Sequence, residues 1–144
     1  MKLYTIGFTK KSAEQFFGLL RDSGATTIVD TRLNNVSQLA GFAKRGDLQY
    51  FVREICGMAY RHELQLAPTK EFLDAYKKGS WSWAKYEEEY LGLIRGRRIE
   101  EVLQPSDFDN VILLCSEATP EQCHRRLAAE YLAKAWGGVE IFHL

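Results

Sequence analysis

The chain is short of cysteine, carries no net charge and has no long apolar run, and each shortage removes a class of protein. Three cysteines in 144 residues are an odd number and too few to staple a disulfide scaffold. That fits a reducing compartment and leaves thiol or metal chemistry open. The 19 basic and 19 acidic residues cancel, so no global field draws the protein onto nucleic acid or an anionic membrane, and any such binding has to be local. The longest apolar stretch, Val111 to Cys115, is far below the roughly 20 residues a membrane-spanning helix requires. Near the start, Gly7 and Lys10-Lys11 interrupt the chain before a signal-peptide core can form. No membrane partner is expected, and the cytoplasm is the expected location.

What is present is enough for one core. The length suits a single domain over residues 1–144, and 46% hydrophobic residues supply the side chains to fill it. Strand and helix patterns alternate. Leu3–Ile6 reads as a strand ending at Gly7, and Ser12 with Gln15 three residues on spells a capping box for a helix stopping at Gly24. Thr27–Thr31 is a second strand. A polar loop follows from Leu33 to Gly46, then a helix over Asp47–Ile55 and a third strand near Met58–His62. Thr69–Lys78 and Trp83–Leu103 read as two helices, an insertion spanning about 69–104. Val111–Cys115, five consecutive apolar residues, reads as a central parallel strand. Thr119-Pro120-Glu121-Gln122 carries an N-cap, a first-turn proline and a capping-box glutamine, which predicts a helix from Thr119 to Trp136. Val139–Phe142 closes the sheet. The expected fold is a three-layer α/β domain: a mostly parallel five-stranded sheet, helices on both faces, and a helical insertion between strands 3 and 4.

Ligands of open parallel sheets bind beyond the carboxyl ends of the strands. That edge collects Thr9 after the first strand, Asp30 and Arg32 after the second, His62 after the third, and Cys115, Glu117, Cys123, His124 and Arg125 after the fourth. The opening Tyr4-Thr5-Ile6-Gly7, the step Val29-Asp30-Thr31-Arg32 and the segment Cys115-Ser116-Glu117 to Cys123-His124-Arg125 together resemble the domain-of-unknown-function family 488 (DUF488). Its members share a TIG opening, a VD-x-R strand end and a C-x-E…CHR segment. The resemblance runs along nearly the whole chain. It is closest to the subgroup with Arg32-Leu33-Asn34-Asn35-Val36-Ser37, where Asn34-Asn35 replaces the proline many members carry. It brings no activity with it, so function rests on the residues.

Three chemistries compete at this edge. As an anion site, the N-terminus of the Thr119 helix, Arg32 and Arg125 would hold a phosphate, with Thr9, Asp30, Asn34 and Ser37 as further contacts; the alternative is an internal network of Glu117 and Glu121 with the arginines. As a hydrolytic centre, Glu117, His124 and Cys115 are the candidates, with His124 on the buried stripe of its helix; the alternative is a core cysteine and a histidine satisfied by a backbone carbonyl. As a metal site, Cys115, Cys123 and His124 are zinc-ligand types, but adjacent Cys123-His124 on a helix should converge poorly, so neither metal nor cofactor is expected. Lys77-Lys78 beside Trp81 and Trp83, with Arg95, Arg97 and Arg98, form the mixture that binds single-stranded nucleic acid, yet Trp83, Tyr86 and Tyr90 at helical spacing read as packing, which leaves Trp81 as the exposed platform. The reading is an enzyme for a phosphate-bearing substrate, a nucleotide or nucleic-acid component. The alternative is a non-catalytic module that uses the same crevice and the 33–45 loop to hold nucleic acid or protein.

Overall fold

The computed structural model describes residues 1–36 and 40–144. Five strands, β1 (Lys2–Gly7), β2 (Thr27–Asp30), β3 (Ala59–His62), β4 (Val111–Cys115) and β5 (Glu140–His143), form one sheet in the order β3-β2-β4-β1-β5. Every pairing is parallel. The five apolar residues of β4 are all buried and sit mid-sheet, where a strand covered on both faces has no polar side to show. Successive side chains alternate between two cores. Tyr4, Ile6, Ile28, Ile112 and Leu114 face α1 (Ala13–Ser23) and α2 (Arg45–Cys56). Leu3, Val29, Val111 and Leu113 face the other side, with Tyr86, Tyr90 and Ile94 of α4 (Trp83–Gly96), Ile99 of α5 (Ile99–Val102) and Leu127, Ala128 and Leu132 of α6 (His124–Trp136). Each such aliphatic side chain contributes about 1.5–3 kcal/mol by leaving water. A shorter helix, α3 (Lys70–Lys77), precedes α4. No helix of the described residues is long and apolar enough to cross a membrane.

The local signals explain most boundaries. Ser12 and Gln15 close the expected capping box on α1, and Gly24 ends it at φ 73°. Thr69 and Ser82 cap α3 and α4 through their hydroxyls. Two expectations are corrected. The helix expected over Trp83–Leu103 is broken: α4 stops at Gly96, Arg98 adopts φ 52°, and α5 starts afresh. The cause is Arg97, whose Nη1 reaches the carbonyls of Leu64, Gln65 and Ala67 and pins the chain there. The helix expected from Thr119 begins five residues later, at His124. Arg126 donates to the carbonyls of Pro120 and Glu121, which holds residues 119–122 as a turn rather than a helical first turn.

Candidate active site

Strand β4 occupies a switch in the winding of the sheet. The helices after its neighbours β1 and β2 pack on one face, whereas α6, which follows β4, packs on the other. Divergent loops open a crevice at such a point, and Cys115 is its last strand residue. Gly7, beside Cys115 in the β1–β4 register, has a specific task there. A Cβ at Gly7 would lie 1.5 Å from the Glu117 carbonyl oxygen and 2.8 Å from Nη1 of Arg125. The loop after β4 can cross the end of β1 only because that side chain is absent.

Under this crossing lies Arg125, fully buried. Its Nη1 donates to the Glu117 carbonyl at 2.7 Å and to Sγ of Cys115 at 3.1 Å. Its Nε and Nη2 have no partner among the described residues. Burial pulls its pKa down to about 10 while Glu117 and Glu121 oppose the shift, so it is a cation at neutral pH. Arg125 thus faces a sulfur rather than the open cleft.

His124, also buried, stands at the first turn of α6. Its Nε2 lies 2.9 Å from the carbonyl of Thr31, at the end of β2, and 3.0 Å from the Thr31 hydroxyl. A carbonyl only accepts, so Nε2 carries the proton and Nδ1 is the bare nitrogen. Burial pushes the imidazole down to about 4, although the Thr31 carbonyl opposes this, and the ring is neutral at physiological pH. Cys123 caps α6 in an extended conformation, so its side chain leaves in a direction that a helical residue could not take. The expected divergence of Cys123 and His124 is therefore corrected: Sγ of Cys115, Sγ of Cys123 and a His124 ring nitrogen all lie within 4.8 Å of one another. Cys115 and Cys123 are joined as a disulfide, and Cys56 is free.

Arg32 and Asp30 form the second charged element. Arg32 Nε and Nη2 bind the two Asp30 carboxylate oxygens at 2.8 Å each, and Nη2 also reaches the Ala43 carbonyl. The Tyr60 hydroxyl donates to Asp30 at 2.6 Å, the guanidinium lies over the Phe8 ring, and the Arg32 carbonyl accepts from His62. Nη1 of Arg32 is buried without a partner among the described residues. Burial alone would raise the Asp30 carboxyl, but hydrogen bonds from Arg32 and Tyr60 and the Arg32 charge hold it below its ordinary 3.8. A depressed carboxylate contributes stability that is full above the unfolded value and is lost as pH falls through the folded one. In urea titrations the stability lead of wild type over Asp30→Asn should therefore be constant at neutral pH and shrink below about pH 4. A lead that stays constant to pH 2 would mean that Asp30 carries no such charge.

A cleft of about 350 Å³ opens at this edge. Arg32, Asn34, Cys115, Glu117, Cys123 and His124 line it from the sheet side, and Tyr76, Lys77, Trp83 and Tyr86 line it from α3 and α4. Trp83 stacks on Tyr86 at 5.3 Å and 19°, Tyr86 runs parallel to Tyr90, and Tyr90 meets His124 at 5.4 Å. Burial, then the charge of Glu117, raises the Tyr86 phenol, which stays neutral. The structure thus gathers Arg32, Asn34, Cys115, Glu117 and His124. It leaves Asp30 and Arg125 buried behind them and Thr9 at a separate depression beside α1. Ser37 lies outside the described residues. Trp81, the expected platform, packs on Phe72 at 5.2 Å instead. Arg97 is committed to carbonyls and Arg98 to Glu101. The aromatic wall was missed because helical spacing marks a buried stripe but not the point where that stripe runs out beside a cleft.

A family model described as "Domain of unknown function DUF488" matches residues 12–132, which include the Asp30–Arg32 step and the Cys115–Arg125 segment. No curated protein and no solved structure matches the chain.

Proposed function

The chain belongs to the DUF488 family of domains of unknown function, a membership that leaves its activity to be read from the cleft, and we propose that this cleft is the active site of a small cytoplasmic enzyme acting on a nucleotide or nucleic-acid component. One observation carries the reading: Arg32, whose buried Nη1 has no partner among the described residues, and a stacked aromatic wall line the same cavity. A planar base fits against Trp83 and Tyr86, because every base offers a π-face. Its phosphate falls to Arg32, with Lys77 at the exposed rim, as planar forks and ammonium groups suit phosphate oxygens. Glu117, exposed in the cleft, is the group available to take a proton. His124, neutral and held by Thr31, is not an acid at physiological pH.

Titrating nucleoside monophosphates and inorganic phosphate against intrinsic tryptophan fluorescence tests this. The expected result is saturable quenching by a nucleotide, weakened about tenfold or more in Trp83→Leu, the loss a stacking contact brings. Glu117→Gln should retain affinity and lose turnover. Absence of binding at millimolar nucleotide, or binding indifferent to Trp83→Leu, would sink the proposal. Binding without turnover in wild type would make the protein a binding module.

A further inference from the structure

The geometry points to a second feature of the same floor: we propose that, in the reduced protein, Cys115, Cys123 and His124 bind one zinc ion with its fourth position open to the cleft. The three ligand atoms come from three different local structures, the end of β4, the extended cap of α6 and its first helical residue. They nevertheless converge to within 4.8 Å of one another, and all three residues are buried. In a tetrahedral site with zinc–sulfur bonds of about 2.3 Å, ligand atoms lie about 3.5–3.8 Å apart. With their bond reduced the two sulfurs have to part, and the imidazole nitrogen has to close in by no more than about 1.3 Å. The Cα atoms of the two cysteines are 7.4 Å apart, beyond the roughly 4.4–6.8 Å usual for backbones joined by a disulfide, so the main chain leaves room between them.

The surroundings supply what metal ligands need. A ligating histidine ordinarily donates its other ring N–H to a carbonyl, which fixes the tautomer and turns the bare nitrogen to the metal. His124 Nε2 and the Thr31 carbonyl make that contact at 2.9 Å. A ligating sulfur is a thiolate and gains from a cationic donor. Arg125 gives Cys115 one at 3.1 Å and has no ion-pair partner among the described residues. Two thiolates and one neutral imidazole are three protein ligands, the number that catalytic zinc sites use, with water in the fourth position. All three candidates also line the cleft, where Glu117 stands to accept a proton from such a water. Exchange with a dithiol reductant breaks the Cys115–Cys123 bond, oxidises the reductant to its own disulfide and returns two thiols. Each thiol releases its proton to solvent as the ion binds.

The site is read from these ligands and their supports, independently of the substrate proposed above, and its test is separate. Protein expressed without a histidine tag and purified under a dithiol reductant should carry about one zinc per chain, falling to roughly a tenth or less in Cys123→Ser. Cobalt(II) added to metal-free protein should produce thiolate-to-metal charge-transfer absorption, lost in Cys123→Ser. Arg125→Gln should still bind, with affinity lowered about 10–100-fold as for other changes behind a metal ligand. Folded, reduced wild type whose Cys115 and Cys123 react freely with a thiol reagent, with no zinc and no cobalt spectrum, would overturn the site. So would a Cys115–Cys123 disulfide that persists under the reductant. Nucleotide binding in either case would leave the cleft proposal standing.

Discussion

Gly7→Ala should unfold the protein at markedly lower urea and cost the cleft its shape, although it adds one methyl group to a strand end. The new Cβ has nowhere to go: the Glu117 carbonyl oxygen and carbon would lie 1.5 and 2.6 Å away, and both are backbone. Either β1 shifts against β4 and β5, breaking a register of parallel bonds, or residues 116–118 lift away. Lifting removes the Glu117 carbonyl from Arg125 and the Ser116 carbonyl from the Thr9 amide. Overpacking of this kind costs about 3 kcal/mol, and losing a carbonyl partner of a buried guanidinium adds to it. The expected drop in melting temperature is roughly 10 °C. Gly18→Ala in α1 is the control, since a Cβ there meets nothing within 4 Å, and alanine in a helix should leave stability unchanged or raise it by about 0.5–1 kcal/mol. Equal stability of the two variants would show that the crossing over Gly7 does not hold the loop.

That crossing also explains what was legible in the sequence and what was not. The five strands and their helical connections follow from local periodicity: Val111–Cys115 can only be a doubly covered strand, and Ser12 with Gln15 can cap only the helix that follows. The start of α6 does not follow, because Thr119-Pro120 satisfies every local rule for a helix start while the loop has a non-local obligation. It must clear Gly7, and the carbonyls of Pro120 and Glu121 are taken by Arg126, a side chain six and five residues on. Moving the helix start to His124 turned Cys123 from a helical residue into an extended cap, and with it the geometry of the cysteines. Spacing rules for ligands assume regular structure, and they fail where two conformations meet. His124 was legible as an inward-facing residue, because the stripe it opens with Leu127, Ala128 and Tyr131 survives the shift of start. Trp83 and Tyr86 do pack as their spacing says, yet they also wall the cleft, since the stripe of α4 extends past the edge of the sheet.

Arg32 has two tasks that a pair of substitutions separates. Arg32→Met strands the Asp30 charge in a buried site, with Tyr60, Asn35 and the main-chain amide of residue 32 as its donors among the described residues, and removing one partner of a buried ion pair costs about 3–5 kcal/mol. Asp30→Asn strands the guanidinium charge in the same way, leaving it one amide oxygen, the Ala43 carbonyl and the face of Phe8 in place of a carboxylate. In Asp30→Asn/Arg32→Met neither charge is buried, and replacing a whole buried pair is often close to neutral. The double variant should therefore be more stable than Arg32→Met alone by about 2 kcal/mol or more, a coupling that urea unfolding resolves. Affinity should behave differently. If Arg32 does no more than hold Asp30 and the Ala43 loop, restoring stability restores whatever the cleft binds. If it also meets phosphate, as proposed, nucleotide affinity falls in Arg32→Met and stays low in the stabilised double variant, because no other guanidinium lines the described part of the cleft. Recovery of affinity with stability would remove Arg32 from the binding site and leave recognition to the aromatic wall and Lys77.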